Sequence, residues 1–118
     1  MSAYEVGATF QKKSSDVKYP RRPEQPRKED YKSYSLWGQA MDNYKDVLVP
    51  RYNAEYAECR KQQAEIEQQF VEALGKELGI GNHPKYPQLY RIAYEQGHSA
   101  GFTEIAIYAE QMAELLTN

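Results

Sequence analysis

The sequence predicts a mainly α fold, an elongated antiparallel helical hairpin or three-helix bundle that follows an extended N-terminal arm. Apolar residues recur at three- and four-residue spacing from residue 34 almost to the C-terminus, which is the period of a helix. Three prolines precede this region, and 118 residues suffice for one core. We therefore expect an arm over residues 1–29 and a helical domain over residues 30–118.

The first ten residues alternate between apolar and polar side chains. Tyr4, Val6, Ala8 and Phe10 have the two-residue period of a half-buried strand. This pattern predicts a short strand, which could pair within a hairpin or add to another protein's sheet. An unstructured terminus with accidental alternation is the alternative.

The rest of the arm is basic and contains proline. Residues 11–32 carry a net charge of +4, whereas the rest of the chain carries −6. Prolines at every third position favour an extended, polyproline-like segment without a core of its own. We expect this segment to be mobile unless a partner holds it, and we assign partner binding to its cations and a tyrosine: Lys12, Lys13, Tyr19, Arg21, Arg22, Arg27 and Lys28.

The first helix is predicted to begin near Asp30 or Ser33, either of which can cap it. Its apolar stripe continues to Leu78, where Gly79 terminates it. Proline is disruptive inside a helix, so a break or kink is expected at Val49–Pro50.

The last helix is predicted to start at Pro87 and to continue unbroken for roughly thirty residues. Gly97 and Gly101 interrupt it in composition, but the apolar stripe keeps its phase across them. One continuous helix is therefore the interpretation, and a flexible hinge at the glycines is the alternative.

Eleven tyrosines against three phenylalanines indicate an interaction surface, because tyrosine combines contact area with a polar tip. Tyr86, Tyr90, Tyr94 and His98 recur at four-residue spacing. This row either packs against the first helix or forms an exposed binding strip, and we assign these four residues to partner binding as well.

No combination of residues predicts catalysis, a metal site or a cofactor. Glu95 and His98 have the Glu-x-x-His spacing of a di-iron ligand pair, but they fall outside the apolar stripe and should face solvent or a partner. Glu104 lies within the stripe, where a charge needs a partner, so we expect Glu104 to form a structural hydrogen bond with Gln62 or Gln63, or with a tyrosine hydroxyl. Cys59 is expected to act as a small buried hydrophobe.

The chain contains no apolar run long enough for a membrane helix, nor a secretion signal at its start. We therefore expect a cytoplasmic protein without a membrane partner.

The C-terminal part resembles a segment of small uncharacterised bacteriophage proteins. The motifs are His83-Pro84-Lys85, Leu89-Tyr90, Gly97-His98-Ser99-x-Gly101 and Glu104-Ile105 with a following tyrosine. The resemblance implies a small phage protein made in the cytoplasm of a bacterial host, and it brings no activity or catalytic residue.

Together these observations predict a non-enzymatic interaction protein that binds and modulates or inhibits a host protein or defence complex. A nucleic-acid-binding accessory protein that uses the basic arm is one alternative. A ligand-binding or enzymatic dimeric helical bundle is another, and a homodimer is compatible with each of these interpretations.

Overall fold

A computed structural model describes residues 1–117, and it confirms the mainly α fold class. The α-helices of this part of the chain are α1 (Ala3–Asp16), α2 (Tyr34–Asn43), α3 (Val49–Leu78), α4 (Tyr86–Gly97) and α5 (Phe102–Thr117). A single 3₁₀ turn at Lys28–Asp30 and a π-helical turn at Tyr44–Leu48 complete the regular structure.

The described chain divides into two compact units. The first, the core unit, combines Met1–Val17 with the chain from Gln63 onward. The second, the middle unit, is Lys18–Gln62. Helix α3 contributes residues to both, and the division differs from the predicted boundary after residue 29.

The core unit contains every buried apolar residue of the described chain. Phe70 and Leu74 of α3 are completely buried, and the ring of Phe70 contacts those of Phe10, Tyr90 and Phe102. Helix α5 packs against both α1 and α4. One hydrophobic core thus joins α1, the C-terminal part of α3, α4 and α5.

The predicted N-terminal strand is wrong, because residues 3–16 form α1. Ser2 caps the helix by accepting a hydrogen bond from the backbone N–H of Glu5. The buried residues are Ala3, Val6, Gly7 and Phe10, which lie on one face of a helix. Tyr4 and Ala8 were counted in the alternation but lie on the exposed side. The extended segment therefore starts at Val17 rather than at the N-terminus.

No break occurs at Pro50, because the backbone stays helical from Tyr34 to Leu78. The π-helical turn Tyr44–Leu48 immediately precedes the proline. Proline cannot donate to a carbonyl one turn earlier and its ring clashes with that carbonyl. The wider π-helical turn accommodates the proline without this clash. The sequence therefore predicted the position of the helix irregularity, but not that it is a π-helical turn.

The single long C-terminal helix is also wrong, because α4 ends at Gly97 and α5 starts at Phe102. Gly101 has a φ of +110°, a conformation that L-residues with side chains rarely adopt. An added Cβ at Gly97 would lie 2.8 Å from the backbone nitrogen of Ile105, so α5 folds closely back on α4. The apolar stripe keeps its phase because both helices bury it in the same core.

Candidate interaction surface

The proline segment, residues 18–27, lies antiparallel along the helical stretch from Tyr34 to Gln62. Near one end the Sγ of Cys59 donates a hydrogen bond of 3.3 Å to the carbonyl of Lys18. Near the other end the Nε1–H of Trp37 donates to the carbonyl of Pro26 over 3.2 Å. A helix of the same chain thus holds the proline segment, which the sequence predicted to be mobile unless a partner holds it.

A three-residue period governs which side of the proline segment faces the helix. Pro20, Pro23 and Pro26 are half-buried, and every residue between them is exposed. Polyproline II has three residues per turn, so one of its three edges packs on the helix and the other two face solvent. This geometry explains the proline spacing without a partner.

Exposed cations on the proline segment, together with the first residue of the 3₁₀ turn that follows it, form a cluster that we call the basic ridge: Arg21, Arg22, Arg27 and Lys28. All four side chains are exposed, and none forms an ion pair within the described residues. Positions on one edge of polyproline II repeat about every 9 Å. The ridge therefore presents spaced, unneutralised charge along a supported backbone.

Aromatic side chains lie at both ends of the ridge. The ring of Tyr19 contacts that of Tyr56 in a tilted arrangement with centroids 5.0 Å apart, and the ring of Tyr52 lies 5.8 Å from that of Tyr56. At the opposite end the Nζ of Lys28 lies 5.2 Å from the ring centroid of Tyr34. Tyr34 is 69% exposed, so this end offers an open aromatic face beside a cation.

The middle unit buries none of its residues, all of which the structure describes. Its partly exposed aromatic rings therefore form much of its surface rather than a core. Ten basic and seven acidic residues give this unit a net charge of +3, while the remainder of the chain has −5. All of this excess positive charge lies in residues 18–32, because residues 33–62 carry four basic and four acidic residues.

Lys12 and Lys13 were predicted to act with the arm, but they belong to α1 in the core unit. Both are exposed, and the Nζ of Lys13 lies 4.6 Å from the ring centroid of Phe10. The structure therefore does not bring them into the basic ridge, and their role in binding remains a prediction.

The aromatic row of α4 is divided between core and surface. Tyr86 is only 5% exposed and donates a hydrogen bond to the carbonyl of Val71, so its assignment to partner binding is corrected to a core role. Tyr90 is half-buried against Phe70. Only Tyr94 and His98 remain at the surface, where their rings stack 5.0 Å apart.

The proton affinity of the two inner tyrosines reflects this burial. Loss of solvent raises the pKa of Tyr86 to about 12 from 10.0. The pKa of Tyr90 is raised further, first by burial and then by the negative charge of Glu67, whose carboxylate accepts a 3.4 Å hydrogen bond from the Tyr90 hydroxyl. Both hydroxyls therefore remain protonated donors to a higher pH than the hydroxyl of an exposed tyrosine.

The predicted polar contact between Gln63 and Glu104 is replaced by another pair. Gln63 accepts a hydrogen bond from the Ser14 hydroxyl over 2.8 Å and donates to the Ser14 carbonyl over 2.9 Å. Glu104 lies half-buried in the first turn of α5, where the helix dipole favours a negative charge. The register contact thus links α3 to α1, a helix that the sequence analysis had read as a strand.

Gln11 supplies a second contact that the sequence analysis missed. Its side-chain oxygen accepts a 2.9 Å hydrogen bond from the backbone N–H of Phe102, the first residue of α5. Free amides at a helix start need an acceptor, and here α1 provides it from a distant part of the chain. No local sequence signal marks such a cap.

Metal-ligating side chains do not converge within the described chain: no three of its His, Cys, Asp and Glu residues could hold an ion together. Cys59 is half-buried and hydrogen-bonded to the proline segment rather than enclosed in a core. Among residues 1–117, no helix combines the length and hydropathy needed to cross a membrane.

Comparison with known proteins places the chain in a family without an assigned role. No curated protein and no solved structure matches it. A family described as a family of unknown function (DUF8546) matches residues 12–117, a range that includes the basic ridge and helices α2 to α5 but only the last residues of α1. The chain therefore belongs to this family of unknown function, DUF8546.

Proposed function

We propose that the chain is a non-enzymatic binding protein that docks on another protein through its middle unit. The observation that supports this most directly is the aromatic and basic surface of residues 18–62, a unit in which no residue is buried. Tyrosine and arginine are among the residues that dominate the energetics of protein interfaces, and this surface exposes both. A fold that holds them at its surface is organised for contact.

The setting of this proposal is a bacterial cell. The C-terminal resemblance to small phage proteins implies that the partner is a host protein or host defence complex, which the chain modulates or inhibits by stoichiometric binding. A helix-supported ridge suits this role, because binding then requires little further ordering of the segment.

The test is capture from a nuclease-treated bacterial lysate, followed by mass spectrometry. Deleting residues 1–29 would remove α1 from the core, so the decisive comparison uses point variants of the full chain. Tyr34→Ser removes an aromatic ring that is 69% exposed in the middle unit, and Tyr4→Ser removes one that is 58% exposed on α1.

We expect one host protein to be retained near stoichiometry by the wild type and by Tyr4→Ser, and to be lost with Tyr34→Ser. Absence of any stoichiometric protein, or equal loss with both variants, would contradict the proposal. Circular dichroism of each variant shows whether the helices are intact.

A further inference from the structure

The cations of the basic ridge are held on a supported backbone. The carbonyls of Lys18 and Pro26 anchor the segment to the helix near its two ends, and three prolines restrict the backbone between them. A partner that binds the ridge therefore contacts an ordered array of charges, and the proline segment loses little conformational entropy on binding.

The charge of the ridge is not neutralised within the described chain. Arg21, Arg22 and Arg27 form no ion pair there, and Lys28 contacts only the face of Tyr34 among charged or aromatic partners. With a net charge of +3 on the middle unit, the complementary ligand is acidic.

Two observations favour an acidic protein over a nucleic acid. Glu24, Glu29 and Asp30 are exposed beside the cations, and they would repel a ligand of uniform negative charge. The core unit adds a net charge of −5, which opposes binding of a long polyanion. An acidic protein surface can place its carboxylates opposite the cations alone.

We infer that the basic ridge binds an acidic protein surface that also offers apolar side chains to the tyrosines at the ends of the ridge. This inference rests on the proposed function and names the chemistry of its partner. The arginines select the acidic groups, and Tyr19 at one end and Tyr34 at the other supply apolar contact area.

The experiment uses the full chain and two labelled probes in fluorescence anisotropy: a short peptide of alternating glutamate and leucine, and a single-stranded oligothymidylate. The double variant R22E/K28E reverses two ridge charges. The double variant K76E/K85E makes the same change in net charge in the core unit, at two lysines with no assigned binding role, and serves as the matched control. All four side chains are exposed, so both variants should fold, and circular dichroism checks this.

We expect the acidic peptide to bind the wild type, with a dissociation constant that rises at least about ten-fold in R22E/K28E and less than about three-fold in K76E/K85E. We also expect weaker binding of the oligothymidylate than of the peptide. Tighter oligothymidylate binding, an equal loss in both double variants, or no peptide binding would each overturn the inference.

Lysate capture separates this inference from the proposed function. If the wild type and R22E/K28E retain the same host protein equally, the ridge inference fails while the proposed function stands. If neither retains a protein, the proposed function fails as well.

Discussion

Alanine at Gly7 should destabilise the core unit although alanine favours helix formation. A Cβ added at Gly7 would lie 2.7 Å from the Cα of Thr103 and 2.9 Å from the carbonyl oxygen of Phe102. Both are backbone atoms, so no side-chain rotation relieves the contact, and α1 and α5 must move apart. Forced separation in a packed core costs about 1–3 kcal/mol. The helix-propensity gain of about 0.5–1 kcal/mol offsets only part of it.

Gly38 provides the matched control, because it lies in α2 with nothing within 4 Å of an added Cβ. Gly38→Ala should raise the free energy of unfolding by about 0.5–1 kcal/mol. Gly7→Ala should lower it by about 1 kcal/mol, because a packing cost of about 2 kcal/mol exceeds a propensity gain of less than about 1 kcal/mol.

Urea unfolding followed by far-ultraviolet circular dichroism measures both changes. Fluorescence of Trp37, the only tryptophan, reports separately on the middle unit. A Gly7→Ala protein as stable as the wild type would refute the close approach of α1 and α5.

Three further changes test the contacts described above. Gln11→Ala should lower the free energy of unfolding by about 1–2 kcal/mol, because the first amide of α5 loses its acceptor. Gln11→Glu retains an acceptor and should preserve stability, and urea unfolding distinguishes the two variants. Trp37→Phe removes the donor to the Pro26 carbonyl, worth about 1 kcal/mol, so trypsin should cut the proline segment about five-fold faster, and an unchanged rate would argue against the contact. Stability supplied by Tyr86 should be complete below pH 10 and lost as pH rises towards about 12, because the unfolded chain releases this proton first; Tyr86→Phe should make unfolding in urea less sensitive to pH over that range.

The sequence predicted the helices best where their period persisted over many residues. Helix α3 and the helical character of residues 86–117 follow from long apolar stripes. Helix α1 was missed because Val6 and Phe10 fit a two-residue period as well as a helical one. The buried pair Ala3 and Gly7 distinguishes the two, but small residues contribute little to a hydrophobic pattern.

The phase of the apolar stripe could not reveal the interruption between α4 and α5. A stripe stays in register across a loop whenever both flanking helices bury it in one core, so continuity of phase does not exclude a turn. The positive φ of Gly101 and the close approach at Gly97 decide the matter, and both depend on where α5 returns. The glycines at these two positions permit a turn, but their presence in the sequence did not distinguish a turn from a continuous helix.

The sequence predicted the prolines and cations of the candidate surface, but it did not predict the helix against which they pack. Prolines at every third position indicated polyproline geometry, and the cations between them are exposed as that geometry requires. Nothing in the segment itself shows that the helix from Tyr34 to Gln62 lies beneath it. Trp37 and Cys59 supply the anchoring hydrogen bonds, whereas the sequence had predicted only that Cys59 is a small buried hydrophobe.

The distribution of burial is the structural basis of the proposed binding role. Phe70 and Leu74 are completely buried in the core unit, whereas the aromatic residues of the middle unit are all partly or largely exposed to solvent. Stability alone would favour burying those rings, since each buried aromatic side chain contributes about 1.5–3 kcal/mol. Burial of the rings at an interface would recover part of this free energy when a partner binds. The partly exposed tyrosines and the unpaired arginines lie on one unit, so a single docking event can satisfy both.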